Sequence, residues 1–202
     1  MAIKRTKNEL KKQKENLKQF RRYLPTLQLK KQQLQSVIMS VRAELEEKEA
    51  ERVRMIGDLD DWVAVFAENE IFEEAKRLEN LVQPDRVIYG EENIVGVTVP
   101  SFEELTFKDI DYNVADYPLW VDTAVFKLRD IAALEALAST LKKRAELLES
   151  ELKTTSQRVN LFEKVKIPEA KENIRVIQVY LGDQQTAAVV RGKISKKKLE
   201  EA

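Results

Sequence analysis

Apolar side chains return every seven residues along two long stretches, one toward each end of the chain. In the first stretch Leu10, Leu17, Leu24, Ile38 and Leu45 form one row. Phe20, Leu27, Leu34 and Val41 form a second row three residues further on, and Lys31 is the charged break in the first. In the second stretch Leu134, Leu141, Leu148 and Phe162 repeat, with Ala138, Ala145, Leu152 and Val159 set four residues beyond them. A strict period of seven keeps an apolar seam facing a partner only if the helices supercoil left-handedly. Each stretch is longer than an ordinary amphipathic helix. The simplest partner for each seam is the other one. The pattern therefore predicts a mainly α chain, a long antiparallel two-helix coiled-coil hairpin with a small middle head containing a short helix and a β-hairpin.

Three segments follow: an N-terminal coiled-coil helix over residues 1–58, an acidic head over 59–118, and a C-terminal coiled-coil helix with a basic tip over 119–202. Residues 4 to 57 read as one helix, ~80 Å long at ~1.5 Å per residue. Pro25 removes one hydrogen bond inside it and predicts a local bend, because the heptad register runs through unbroken. Residues 59–82 read as an acidic amphipathic helix whose Trp62, Phe66 and Phe72 fill the core of the head. Pro84 ends that helix and the period changes to two. Residues 86–89 and 94–99 read as strands, joined by a turn at Gly90-Glu91-Glu92-Asn93 and closed by Pro100, a hairpin of about 86–99. A lone hairpin is marginal in water, so it must pack on a helix or a partner. Residues 101–118 read as an irregular acidic loop tied down by Phe102, Phe107, Tyr112 and Tyr117. The last helix runs from Leu119 toward residue 199. Past Pro168 its apolar positions become Ile167, Ala170, Ile174, Ile177 and Leu181, a slip of one position. This helix outruns the first, so part of it lacks an internal partner.

Charge sharpens that outline. The chain has 202 residues, 35 basic and 35 acidic, yet the two signs are sorted. Residues 1–31 hold eleven Lys and Arg against Glu9 and Glu15, while residues 58–122 hold seventeen Asp and Glu against four Lys and Arg. Antiparallel pairing gathers Lys4, Arg5, Lys7 and Lys11 at the same end as Arg191, Lys193, Lys196, Lys197 and Lys198. Such a basic tip suits nucleic acid, a negatively lined protein socket, or simply a solvated face. Little aromatic interleaving beyond Phe20 and Tyr23 speaks against nucleic acid.

Composition excludes much chemistry. Cys and His are both absent, which removes disulfides, thiolate metal sites, and the commonest general base and metal ligand. The five Gly never cluster into a phosphate loop. The carboxylate pairs Asp60-Asp61 and Asp109-Ile110-Asp111 lack calcium-loop spacing and read as solvated head residues. No enzyme, cofactor or metal is expected. The N-terminus has no signal-peptide core, and no run approaches the ~20 apolar residues of a membrane span, so a cytoplasmic protein is expected.

Several segments resemble the D subunit of the V-type and A-type ATPases. Gln157-Arg158-Val159-Asn160-Leu161-Phe162-Glu163 followed by Ile167-Pro168 is similar to that family's Arg-Arg-Val-Asn-Ala-Leu-Glu stretch ahead of an Ile-Pro. Ile174, Ile177 and Leu181 keep the family spacing, and Arg191 with Lys193 resembles its closing Arg-Leu-Lys. Thr6-Lys7 with Leu10, and Leu27-Gln28-Leu29-Lys30-Lys31-Gln32-Gln33-Leu34, resemble its N-terminal segments. Asn93-Ile94-Val95-Gly96-Val97-Thr98-Val99-Pro100 is similar to its Gly-Val-x-Val-Pro strand. The chain departs from the pattern at Gln32, Gly192 and Gln184-Gln185-Thr186, which bears on individual contacts.

The resemblance implies a central rotor stalk of a rotary ATPase, carrying torque between the ATP-hydrolysing or ATP-synthesising hexamer and the ion-translocating membrane ring. Its implied partners are the A3B3-type hexamer around the basic tip, a small companion rotor protein (the F subunit), and a funnel adaptor of the ring. No direct nucleic acid contact or membrane insertion is implied, and attachment to the membrane runs through the complex. Lys30, Lys31, Arg158, Asn160 and Pro168 are the family-motif positions on the rod. Two other readings compete: a generic coiled-coil scaffold or tether, and a nucleic-acid-binding helical hairpin.

Overall fold

A computed structural model describes residues 3–60, 78–108 and 117–200. The second helix expected at 59–82 falls largely outside these residues, and Trp62, Phe66, Phe72, Asp61, Asp109, Ile110, Asp111 and Tyr112 lie outside them altogether. Helix α1 runs Lys7–Asp60 and continues through Pro25. A four-residue helix α2, Leu78–Leu81, precedes strands β1, Pro84–Ile94, and β2, Val97–Phe107. Helix α3 spans Trp120–Leu161, a π-helical turn Phe162–Lys166 follows, and helix α4 spans Ile167–Glu200. The fold is mainly α with one antiparallel two-stranded sheet.

The chain forms two compact units, residues 33–152 and residues 1–32 with 153–202. In the first, Leu34, Ile38 and Val41 of α1 bury against Leu141, Ala145 and Leu148 of α3. Leu34 and Leu148 are fully buried. Leu45, Leu137 and Leu152 pack at the margin of that core. Arg42 Nε donates to Glu149 at 3.0 Å, and Arg52 pairs with Glu135. As α1 ascends its partners descend along α3, so the helices are antiparallel. A second small core joins Leu78 and Leu81 of α2 to Val121, Ala124 and Val125 at the start of α3. Arg129 ties the two elements by donating to the Leu81 carbonyl at 3.4 Å, and its guanidinium stacks over the Phe107 ring at 5.2 Å.

The sheet is longer than the sequence pattern suggested, and its turn lies elsewhere. Gly90-Glu91-Glu92-Asn93 sits inside β1, where Glu92 pairs with Val99 and Asn93 with Thr98. The chain reverses at Val95-Gly96, both with positive φ, at 53° and 76°. Two consecutive left-handed residues match the right-handed twist of the flanking strands, as two-residue hairpins require. Asn93 Oδ1 accepts the Gly96 amide at 3.0 Å and closes the corner. A β-branched residue rarely adopts φ above zero, so Val95 hid the turn.

Gly90 instead flanks a register shift between Ile88 and Tyr89. A Cβ there would meet the side chains of Glu103 and Ser101 at 2.5 and 2.6 Å. Residues 101–107, expected as irregular loop, continue β2 to Phe107. Pro100 does not close the strand. In a two-stranded ribbon each strand has an outer edge, where a missing N–H costs no ladder bond.

The hairpin packs on the paired helices. Val99 is 1% exposed in the same core as Leu141 and Leu148, with Ile94, Val95 and Val97 beside it. This burial offsets the marginal stability of two strands alone.

Candidate functional site

The unit of residues 1–32 and 153–202 holds the basic segments at both ends of the chain. Its N-terminal helix starts with a side-chain cap. The Glu9 amide donates to Thr6 Oγ1 at 3.2 Å, and the Leu10 amide donates to the Thr6 carbonyl at 3.0 Å. Thr6-Lys7-Asn8-Glu9 carries the S/T-x-x-E signature of such a start. The spacing of Thr6 and Glu9 is thus a signal that places the first turn of α1 at Lys7.

Opposite this start, the Arg5 guanidinium lies over the Tyr180 ring, 5.4 Å from its centroid. Ile3, Lys4, Arg5, Thr6 and Tyr180 line one open cleft. Further along, the rings of Phe20 and Phe162 meet at 5.3 Å, tilted by 47°. The two contacts fix an antiparallel pairing in this unit too. Leu10, Leu17, Phe20, Leu27, Leu134, Leu152 and Phe162 are half-buried, and Val41, Leu141, Leu148 and Val159 are buried. Ala170 and Ile177 are the buried residues of α4, at 3% and 0% exposure.

Between α3 and α4 the backbone makes an unusual turn. The Ile167 amide donates to the Phe162 carbonyl, five residues back. One residue more than α-helical spacing is thus held between Phe162 and Ile167. This extra residue is the physical cause of the one-position slip. Seam positions spaced by three and four up to Phe162 resume at Ile167 after a gap of five. The last helix is therefore interrupted at Phe162–Lys166, ahead of Pro168, which occupies the first turn of α4.

The basic residues are not all brought together. Lys4, Arg5, Lys7 and Lys11 are exposed, with Lys11 4.0 Å from Glu15. Arg191, Lys193, Lys196, Lys197 and Lys198 are exposed on α4 beyond the level of Tyr180. At ~1.5 Å per residue, Arg191 lies ~16 Å and Lys198 ~27 Å past Tyr180. The charge is strung along the helix axis, which lessens its self-repulsion. From Gly182 to Glu200 every residue except Ala187 is exposed, including Val189, Val190, Ile194 and Leu199. Lys196 lies 3.7 Å from Glu200, a solvated pair of little energetic weight.

Of the motif positions, Arg158, Asn160 and Pro168 are exposed, while Lys30 and Lys31 are half-buried. Arg175 donates to both oxygens of Glu172 at 2.9 and 2.8 Å. These hydrogen bonds hold the Glu172 carboxyl below its ordinary range and the Arg175 guanidinium above its own. Both groups face solvent, so the pair is a surface feature. Among the described residues no cluster of three or more Asp, Glu, His or Cys could hold a metal ion, and no helix is long and apolar enough to cross a membrane. What this unit presents is an exposed, basic, partly apolar helical surface suited to another macromolecule.

Relatives match the whole length of the chain. The family model for the ATP synthase D subunit matches residues 9–197. The D subunit of a V-type ATP synthase from Borreliella burgdorferi is 46% identical over 197 residues, covering 98% of this chain and 95% of the relative. The V-type ATP synthase D subunits of Chlamydia pneumoniae and Chlamydia muridarum are 32% and 31% identical. They cover 99% and 98% of this chain, and 94% and 97% of their own lengths. With the family model and these relatives matching nearly the whole chain, it belongs to the family of ATP synthase D subunits.

Proposed function

We propose that the chain is the central rotor axle of a V/A-type rotary ATPase, a non-catalytic component that carries torque between the nucleotide hexamer and the ion-translocating ring. The observation that best supports this reading is the exposed helix from Gly182 to Glu200, with its basic and apolar side chains, projecting past an antiparallel helix pair. An axle needs torsional stiffness, which helices paired along long apolar seams supply. It also needs contacts that break and re-form at each step. Several screened charges suit that better than a few deep apolar contacts.

In this reading the A3B3-type hexamer surrounds the α4 tip, with Lys4, Arg5, Lys7, Lys11, Arg191, Lys193, Lys196, Lys197 and Lys198 facing its acidic side chains. The F subunit and the funnel adaptor engage the axle away from the tip. The protein then sits on the cytoplasmic side, peripheral to the membrane through the complex. Affinity purification of the tagged chain from native membranes tests the proposal. Recovery of the hexamer and the companion rotor protein is expected, and recovery of the chain without any other ATPase component would overturn it.

A further inference from the structure

The π-helical turn divides the C-terminal seam into two registers. Upstream the seam uses Leu148, Leu152, Thr155, Val159 and Phe162; downstream it uses Ile167, Ala170, Ile174, Ile177 and Leu181. Without the turn, an unbroken α-helix would bring Lys166, Glu169, Asn173, Val176 and Tyr180 onto the same face. Those residues already lie next to that face. Lys166, Glu169 and Asn173 line one polar cleft with Gln13 and Asn16 of α1. The facing helix therefore offers polar partners to the alternative register.

We propose that Phe162–Lys166 is a two-position twist joint. In the position observed, the turn holds one supernumerary residue and α4 buries Ala170 and Ile177. In the other, the turn tightens to α-helix and α4 rotates about its axis by ~100°, one residue's worth. Lys166, Glu169 and Asn173 then move onto Gln13 and Asn16, and Tyr180 leaves Arg5 for the seam. Apolar burial favours the first position, so the second is the minor state.

Three features keep exchange between them accessible. Glu163, Lys164 and Val165 are exposed, so the outer side of the turn moves against solvent, and the Phe162 ring on Phe20 is its packed contact. Pro168 has no N–H, so it contributes no backbone bond to the turn in either geometry. A single π-turn is also a rarer backbone geometry than the α-helix on either side of it, so it is the less favoured form locally.

The joint is a property of the chain alone, so its test needs no partner. Removing Val165 leaves four residues' spacing where there were five, and a continuous α-helix then keeps the observed downstream seam. Removing Glu146, exposed in α3, instead throws Leu148, Leu152 and Val159 off the seam. By thermal melting, the chain lacking Val165 should unfold at or above the parent's temperature, while the chain lacking Glu146 should melt lower by more than ~10 °C. Amides between residues 163 and 181 should exchange at least ~10-fold more slowly in the chain lacking Val165, because the alternative position is gone. The proposal is overturned if removing Val165 lowers the melting temperature as much as removing Glu146, or prevents folding. It is equally overturned if exchange over residues 163–181 is unchanged.

Discussion

Arg144 Nη2 lies 3.2 Å from a carboxylate oxygen of Glu92, while its Nε donates to the Pro100 carbonyl at 3.3 Å. One side chain of α3 thereby holds both strands of the hairpin. It is 15% exposed, so its charge is shielded from water more than most on this chain. Together with the buried Val99, Arg144 converts a ribbon that would fray alone into part of the core.

Replacing Arg144 with Ala should therefore loosen the hairpin before it loosens the helices. Charge-assisted hydrogen bonds of this kind contribute ~1.5–3 kcal/mol when partly buried. Amide exchange in β1 and β2 is expected to rise while far-ultraviolet circular dichroism stays near the parent's. Equal protection of the strand amides in the variant and the parent would show that Val99 alone anchors the ribbon.

Leu141→Asp should be severe. Leu141 is 3% exposed between α1 and the hairpin, and a carboxylate there has no partner. Loss of packing and burial of the charge together should cost ~3–5 kcal/mol. Glu146→Gln on the exposed side of the same helix should stay within ~0.5 kcal/mol of the parent. Urea melts of the two variants check the ranking.

The hairpin also covers Leu141, Ala145 and Leu148. Exchanging residues 84–107 for a short Gly-Ser link uncovers them. Helix content should persist, because the α1–α3 seam remains, but the melting temperature should fall and an apolar dye should bind. No dye binding and an unshifted melt would mean the helices close over the gap.

Reversal of Arg191, Lys193 and Lys196 to Glu should leave helix content unchanged, since all three are exposed on α4. In the rotor reading proposed above, binding to the catalytic hexamer is expected to weaken, most at low ionic strength, where charge contacts are least screened. Unaltered binding there would reduce these side chains to a solvated face.

The start of α1 should depend on two small contacts. Thr6→Ala removes the cap and costs ~1 kcal/mol locally. Tyr180→Leu removes the ring beneath Arg5, at ~0.5–1 kcal/mol for an exposed cation–π pair. In each variant the amides of residues 7–10 are expected to exchange faster, with the rest of the molecule unaffected.

The seven-residue period marked the two long helices and the side chains that meet between them, Leu34, Ile38 and Val41 with Leu141, Ala145 and Leu148. The contacts of Arg42 with Glu149 and Arg52 with Glu135 set their antiparallel direction. The period is local information. A helix places side chains at fixed angles, so spacing along the chain translates directly into a face. The slip between Phe162 and Ile167 was legible for the same reason, as a gap of five among threes and fours. Its backbone cause was not, because either a bend at Pro168 or an inserted turn gives that spacing. The structure chose the turn, and the Ile167 amide reaching back to Phe162 is what holds it.

The hairpin was the part that only tertiary structure decided. Gly90 and Asn93 are ordinary turn residues, yet they lie in a strand, and the reversal falls on Val95-Gly96. Strand register depends on what the other strand and the helices beneath can bury. Here Ile94, Val97 and Val99 pack on the helical core with the chain reversing at residues 95–96, and β2 runs on past Pro100. Local propensity at four residues cannot outweigh apolar burial across a whole ribbon, so the position of that turn is set by contacts distant in sequence.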